Sequence, residues 1–446
     1  MKRSAWRYLW TSRDIRKMLL ITLAILAIYR FMCHVPVPGV NREVIASIMA
    51  GGGAGSTFIN LLDLLSGGTV SNFSVLAMGV YPYITAQIIL QLLTPIIPAM
   101  QKRMEEDPRE GQKWMEKWTI ILAVPMAALQ AIGQINIFTS LAGGAPILEN
   151  YGWSGSDLLP TITVVLSMTA GTMFAIWLGE LISEYGIRNQ GLSLIIFAGI
   201  VAGIPGNIGR LLSDQTYRWF FLVIILVMIA LIVFSIVFVQ QGRRNVPVMY
   251  PGRRVGNRMS MPVKGTLPLM VNMAGMIPLI FAQSLLTFPA ILASFFVASS
   301  IPAVSSFATT VQRMFGGTSD FYWIMYFVMV VAFTFFYTDI LFAQQNYGEN
   351  LKRVGAQIPG VSRGAPTQKY LTKVLRRITL PGALFLGFIA ILPFLLSLIL
   401  PFGENSRMLL VSSAGLLIVV GVVRDTFFNI EAELKLHGYD DALLIR

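Results

Sequence analysis

Ten apolar stretches of this chain are candidates for crossing a bilayer, and this limits what it can fold into. A helix spanning a hydrocarbon core of roughly 30 Å needs about 20 mostly apolar residues. The stretches lie at 18–33, 73–97, 118–138, 158–179, 192–209, 219–239, 267–297, 322–342, 378–401 and 408–423. The fifth is short and glycine-rich, and only the polar turn Glu184–Gln190 separates it from the fourth. The seventh holds Pro268, Pro278 and Pro289, which predicts a kink or tilt. Charged residues make up only 13% of the 446, half of the roughly 25% in a soluble chain. With 55% hydrophobic residues, disorder and an ordinary soluble enzyme are both poor fits. The runs are continuous rather than alternating, which disfavours a β-barrel. The expected fold class is an all-α polytopic membrane protein.

The first stretch follows basic residues, as a signal peptide would. It runs into His34-Val35-Pro36-Val37-Pro38 rather than a small-residue cleavage site, which predicts a retained helix. Lys and Arg set the orientation. Six precede the first span, and residues 98–117, 241–266 and 343–377 hold five, six and seven. The intervening 33–72, 139–157, 298–321 and 402–407 hold one, none, one and one. Both termini are therefore expected in the cytoplasm. Loops 241–266 and 343–377 are longer than orientation requires. Their basic residues include Arg243, Arg244, Arg253, Arg254, Arg258, Lys352, Arg353 and Arg363. They fit either topology determinants alone or a surface for a polyanion such as phosphate, anionic lipid or an acidic protein face.

Chemistry is scarce. Cys33 is the single cysteine, and His34 and His437 lie far apart, too few for a zinc site. The sequence holds no metalloprotease helix, nucleophile elbow or phosphate-binding loop. Ion-coupled transporters keep charges at mid-membrane, yet Arg30, Glu180, Asp339, Arg424 and Asp425 all fall near span ends. Between the first two spans, Gly51–Gly55 leads into Thr57-Phe58-Ile59-Asn60-Leu61-Leu62-Asp63-Leu64-Leu65, apolar but too short to cross. It suits a re-entrant segment in a cavity or an amphipathic helix on the outer surface. Topology alone leaves a channel and an inverted-repeat secondary transporter level, with a membrane enzyme behind them.

Several ordered motifs carry a resemblance. They are VPVPGV (35–40), FINLLDLLSGG (58–68), MGVYPYITAQIILQLLTP (78–95), the stretch 169–203, LPLMVNMAGMIPLIFA (267–282), ENLKRVGAQIPG (349–360) and LLIVVGVVRDT (416–426). With them, the chain resembles the SecY family over nearly its whole length. The resemblance implies two inverted pseudo-symmetric halves of five helices, 18–209 and 210–430, around a central pore. Tails at 1–17 and 431–446 flank them. It implies a channel for unfolded polypeptides, not an enzyme, with no cofactor in this chain. The pore ring falls on Val80, Ile84, Leu192, Ile196, Ile280 and Ile418, and the plug on 57–72. The lateral gate lies between spans two and three and spans seven and eight, with Ser193 and Phe288 near it. The basic loops are implied to bind the motor ATPase SecA or the ribosome, and SecE and SecG to be membrane partners. Signal peptides, nascent chains and lipids are the other partners, in a bacterial plasma membrane or a thylakoid. Where the family often reads Pro-Gly-Ile-Arg-Pro-Gly, this chain has Pro359-Gly360-Val361-Ser362-Arg363-Gly364, its arginine displaced by one. A narrow aliphatic ring resists wetting and makes no hydrogen-bond demand on a passing chain.

Overall fold

The computed structural model describes residues 12–41, 43–45, 73–94, 96–141, 147–148, 151–152, 155–188, 190–213, 218–251, 254–255, 258–259, 263–297, 301–315, 319–399 and 413–436. It is mostly helical. In chain order come α1 (Arg13–Met32), α2 (Tyr81–Leu93), α3 (Pro98–Glu106), α4 (Pro108–Leu141), α5 (Leu158–Tyr185), α6 (Gly191–Ser213) and α7 (Arg218–Gln241). Strands β1 (Arg243–Tyr250), β2 (Arg254–Val255), β3 (Arg258–Met259) and β4 (Val263–Met270) follow. Then come α8 (Ile277–Ser294), α9 (Pro302–Phe315), α10 (Asp320–Gln345), α11 (Tyr347–Arg353), α12 (Ala365–Ile399) and α13 (Ser413–Leu436). Among the described residues, five helical stretches are long and apolar enough to cross a membrane: Arg109–Thr139, Leu158–Tyr185, Ile277–Ser294, Asp320–Arg353 and Ala365–Leu392. Tyr81–Leu93 and Pro98–Met104, bent by 99° relative to each other, count as a sixth if the pair is one broken span.

Among the described residues, two of the ten apolar stretches begin in another conformation. Residues 73–80 form consecutive turns rather than the start of a span. Pro82 sits in the first turn of α2, where its missing N–H is harmless, and Gly79 before it has φ +52°. The turns are pinned by Val37 N–H donating to Phe73 O and Val75 N–H donating to Val35 O. Residues 267–270 belong to β4, so Pro268 lies in a strand opposite Asn245, Pro278 opens α8, and Pro289 alone is inside that helix. At the chain's far end, the 430/431 boundary falls within the unbroken α13.

Packing divides the helices into two groups. In the first, α5 touches α1, α4 and α6, and α2 lies along α4. In the second, α8 packs on α10, α10 on α12, α12 on α13 and α13 on α7. The groups meet along two seams: α2 and α4 against α8, and α6 against α7 and α13. Most of α8 is enclosed: 72% of its apolar window is buried, against 44% or less for the other four long stretches.

The close approaches depend on glycine. A Cβ on Gly191, at the start of α6, would lie 1.7 Å from the Gly179 carbonyl oxygen of α5. Neither backbone can yield without separating the helices. Gly203, further along α6, has open space around its Cα. We expect Gly191→Ala to destabilise the protein by about 1–3 kcal/mol, the usual range for overpacking. Gly203→Ala should leave stability unchanged or slightly raised. Thermal unfolding of the two variants in detergent checks the contrast.

Candidate functional site: the α2–α8 seam and the basic platform

Five of the six expected ring residues are buried in the main hydrophobic core, which also takes in residues of α1, α4, α5, α7, α10 and α12. Val80 caps the N-terminus of α2 and Ile84 lies one turn on, its N–H donating to the Val80 carbonyl. Ile196 comes from α6, Ile280 from α8 and Ile418 from α13, and all five are buried. Leu192, half-buried, packs against this cluster and also against the smaller one of Tyr83, Ala86, Ala123 and Ile176. Ser193 on α6 and Phe288 on α8 are both half-buried. The expected plug, Thr57 to Leu65 and on to residue 72, lies outside the described residues.

Polar contacts tie the two groups beside that cluster. Tyr81 OH, buried on α2, donates to the Ser284 carbonyl of α8 at 3.0 Å. Ser294 Oγ donates to the Ile291 carbonyl at 2.6 Å and lies 3.3 Å from the Gly133 carbonyl of α4. Behind them Gln130 of α4 donates to Thr85 of α2 at 3.3 Å. Gly133 makes the α4–α8 approach possible, since a Cβ there would meet Ile291 Cγ2 at 2.4 Å. Phe281 of α8 meets Phe333 and Tyr337 of α10 edge-on at 6.2 and 5.8 Å. Among the described residues, Gln130 Oε1 and Gln134 Oε1, buried on α4, lack hydrogen-bond partners. Sequence reading passed over these residues. The signal was available, because amides and hydroxyls inside apolar spans are expensive unless they pair.

Charges at the span ends pair locally. Arg376 of α12 donates to both carboxylate oxygens of Asp339 on α10, at 3.3 and 2.9 Å. Arg424 donates to its neighbour Asp425. Arg188, in the turn between α5 and α6, reaches Glu433 of α13 at 3.9 Å.

The two long basic loops fold into one unit. β1 pairs antiparallel with β4, from Arg243 opposite Met270 to Tyr250 opposite Val263, and β2–β3 extends the hairpin. Alternation turns Val246 and Val248 inward. They share a core with Leu269, Phe342, Ala356, Ile358, Leu371 and Leu375. Met249 and Gln357 exchange two backbone hydrogen bonds of 2.8 and 2.9 Å, joining the hairpin to the second loop. That loop turns at Pro359-Gly360, where Val361 N–H donates to the Ile358 carbonyl and Gly360 takes φ +81°.

The small core leaves the basic side chains outside. Arg243, Arg244, Lys352, Arg353 and Arg363 are exposed. Arg363 Nε donates to Gln357 Oε1 at 3.2 Å, which holds the displaced arginine at the junction of the two loops. Arg254 and Arg258 lie in the strands of the hairpin tip, and Arg253 is outside the described residues. Leu371→Ala should cost about 2–5 kcal/mol of local stability. The expected readout is faster proteolytic cleavage in 243–270, with the membrane helices still protected.

Comparison with known proteins agrees with this architecture. The SecY family model matches residues 74–427. A protein translocase subunit SecY of Streptomyces galbus is 36% identical over 443 residues, covering 96% of this chain and 97% of the relative. The corresponding subunit of Aquifex aeolicus (strain VF5) is 37% identical over 433 residues, covering 96% of each. Among solved structures, a protein-conducting channel aligns with TM-score 0.62 at 16% identity, covering 95% of this chain and 93% of that one. A second concerns the plug domain of a SecY protein, described as stabilising the closed state of the channel and maintaining a membrane seal; it aligns with TM-score 0.60 at 18% identity over the same shares. On this full-length match, the chain belongs to the SecY family.

Proposed function

We propose that this chain is a protein-conducting channel, which passes unfolded secretory polypeptides through its centre and releases apolar segments sideways into lipid. Family membership supports the general reading, and the α2–α8 seam, with Ile84 and Ile280 buried on the two helices that form it, is the single observation that carries it to particular residues. Val80, Ile84, Leu192, Ile196, Ile280 and Ile418 form the constriction, an apolar gasket that gives ions no hydration partners. Residues 57–72 are the plug, and Ser193 and Phe288 border the gate. The two helix groups are inverted halves that part along α2–α8 and hinge where α6 meets α7 and α13.

A signal-sequence helix entering between α2 and α8 gains about 25 cal/mol for each Å² of apolar surface it buries. It must offset the contacts holding the seam shut, so opening is a population shift that the incoming sequence biases. The exposed arginines and lysines of the two cytoplasmic loops receive a motor ATPase of the SecA type or the ribosome, whose RNA phosphates release counterions on binding. SecE- and SecG-type subunits complete the complex in the plasma membrane of a bacterium, with both termini cytoplasmic. A thylakoid is the other setting for such a chain.

A photoreactive residue at Ile84 or Ile280 should crosslink a stalled secretory nascent chain, whereas one at the exposed Leu166 or Phe388 should not. Equal crosslinking from both sets, or none, would overturn the ring assignment. Removing the Tyr81 hydroxyl tests the seam separately. Tyr81→Phe deletes a hydrogen bond with a net value of about 1 kcal/mol, equivalent to roughly fivefold in an equilibrium. Weak signal sequences should then be exported several-fold better, a change that pulse-labelled processing rates would record.

A further inference from the structure

We propose that α9 is an interfacial anchor that lies in the membrane surface on the side opposite the basic platform and fixes the far end of α8 to the lipid. The β1–β4 hairpin enters α8 at its N-terminus, and α9 follows its C-terminus, so the two lie at opposite ends of that helix. α9 is too short to span and is strongly amphipathic. Its inner face, Val304, Ala308, Val311 and Phe315, rests on the protein, with Phe315 meeting Phe321 of α10 edge-on at 5.8 Å. Ser305 Oγ donates to the Val297 carbonyl at 2.7 Å and ties the start of α9 to the chain leaving α8.

The two remaining flanks of α9 differ in chemistry. Ala303, Phe307, Thr310 and Met314, at i, i+4, i+7 and i+11, fall on one flank of a 3.6-residue period, where Thr310 folds its hydroxyl onto the Ser306 carbonyl. Phe307 is 71% exposed. Ser306, Thr309 and Arg313 occupy the other flank, all exposed. The hydroxyls of Ser306 and Thr309 fold back onto carbonyls of their own helix. An aromatic side chain this bare is poorly placed in water.

Continuity with the membrane-facing surface identifies its occupant as lipid. Phe296 and Ile301, on the connection from α8, are 56% and 58% exposed, and the outward apolar row of α10 begins at Phe321 and Ile324. These residues carry the apolar belt of the spans up to α9, whose flank extends it along the bilayer surface. An interfacial helix buries its apolar face about 5–10 Å into the headgroup–acyl boundary. Because α8 supplies one side of the α2–α8 seam, such an anchor holds the far end of that seam in register with the bilayer surface.

Spin labels test this in the full chain, reconstituted in vesicles of phosphatidylethanolamine and phosphatidylglycerol. In a Cys33→Ser background, single labels are placed through Ala303→Cys, Phe307→Cys, Thr309→Cys and Arg313→Cys. Labels at 303 and 307 should collide preferentially with oxygen and report a depth of about 5–10 Å below the phosphates. Labels at 309 and 313 should collide preferentially with a water-soluble nickel chelate. Adding Phe307→Asp should shift the label at 303 toward water. Nickel access that is equal on both flanks would overturn the anchor. Exclusion of both reagents from 303 and 307 would also overturn it, because a protein surface would then cover the flank.

Discussion

A bilayer offers no hydrogen bond to a backbone amide, and the described elements of this chain read as membrane-spanning meet that constraint. Helices satisfy it internally. Residues 73–80 do not, and they are the informative exception. Phe73, Ser74, Leu76 and Ala77 are fully buried, and the backbone around them bonds to Val35 and Val37. Irregular chain is tolerated here because protein rather than lipid surrounds it. It also delivers Val80 and Tyr81 together to the start of α2, one into the apolar cluster and the other onto α8.

The seam between the helix groups mixes apolar and polar contacts: Tyr81 OH donates to the Ser284 carbonyl, and Ser294 Oγ lies 3.3 Å from the Gly133 carbonyl. At the other seam, an ion pair links Arg188 to Glu433, and Asn429 Nδ2 donates to the Arg188 carbonyl.

Much of the fold was legible in the sequence, since long apolar runs in a membrane protein have few alternatives to helix. Each of the ten stretches contains one. The errors have a common cause: apolarity reports burial, not conformation. Residues 73–80 and Leu267–Met270 are as apolar as the helices they precede, yet turns and a strand hold them. Only long-range partners, Val35 and Val37 for the first and Arg243–Val246 for the second, decide the matter. The merging of two loops distant in sequence was hidden for the same reason. Val80 and Ile84 could be seen to share a face, but lipid-facing and buried stripes look alike, so the ring positions rested on family likeness. The polar seam could have been read from Tyr81, Gln130 and Ser284, whose chemistry is out of place in an apolar span.

The fused loops have a mechanical consequence. Their core is drawn from β1, β4, α10, α11 and α12, and among the described residues none of the first helix group enters it. The platform is therefore a handle on one side only. The platform is continuous with α8, α10 and α12, whereas α2 and α4 meet that unit across the seam with α8. A force applied to the platform would enter the second helix group first and reach the first group through those contacts.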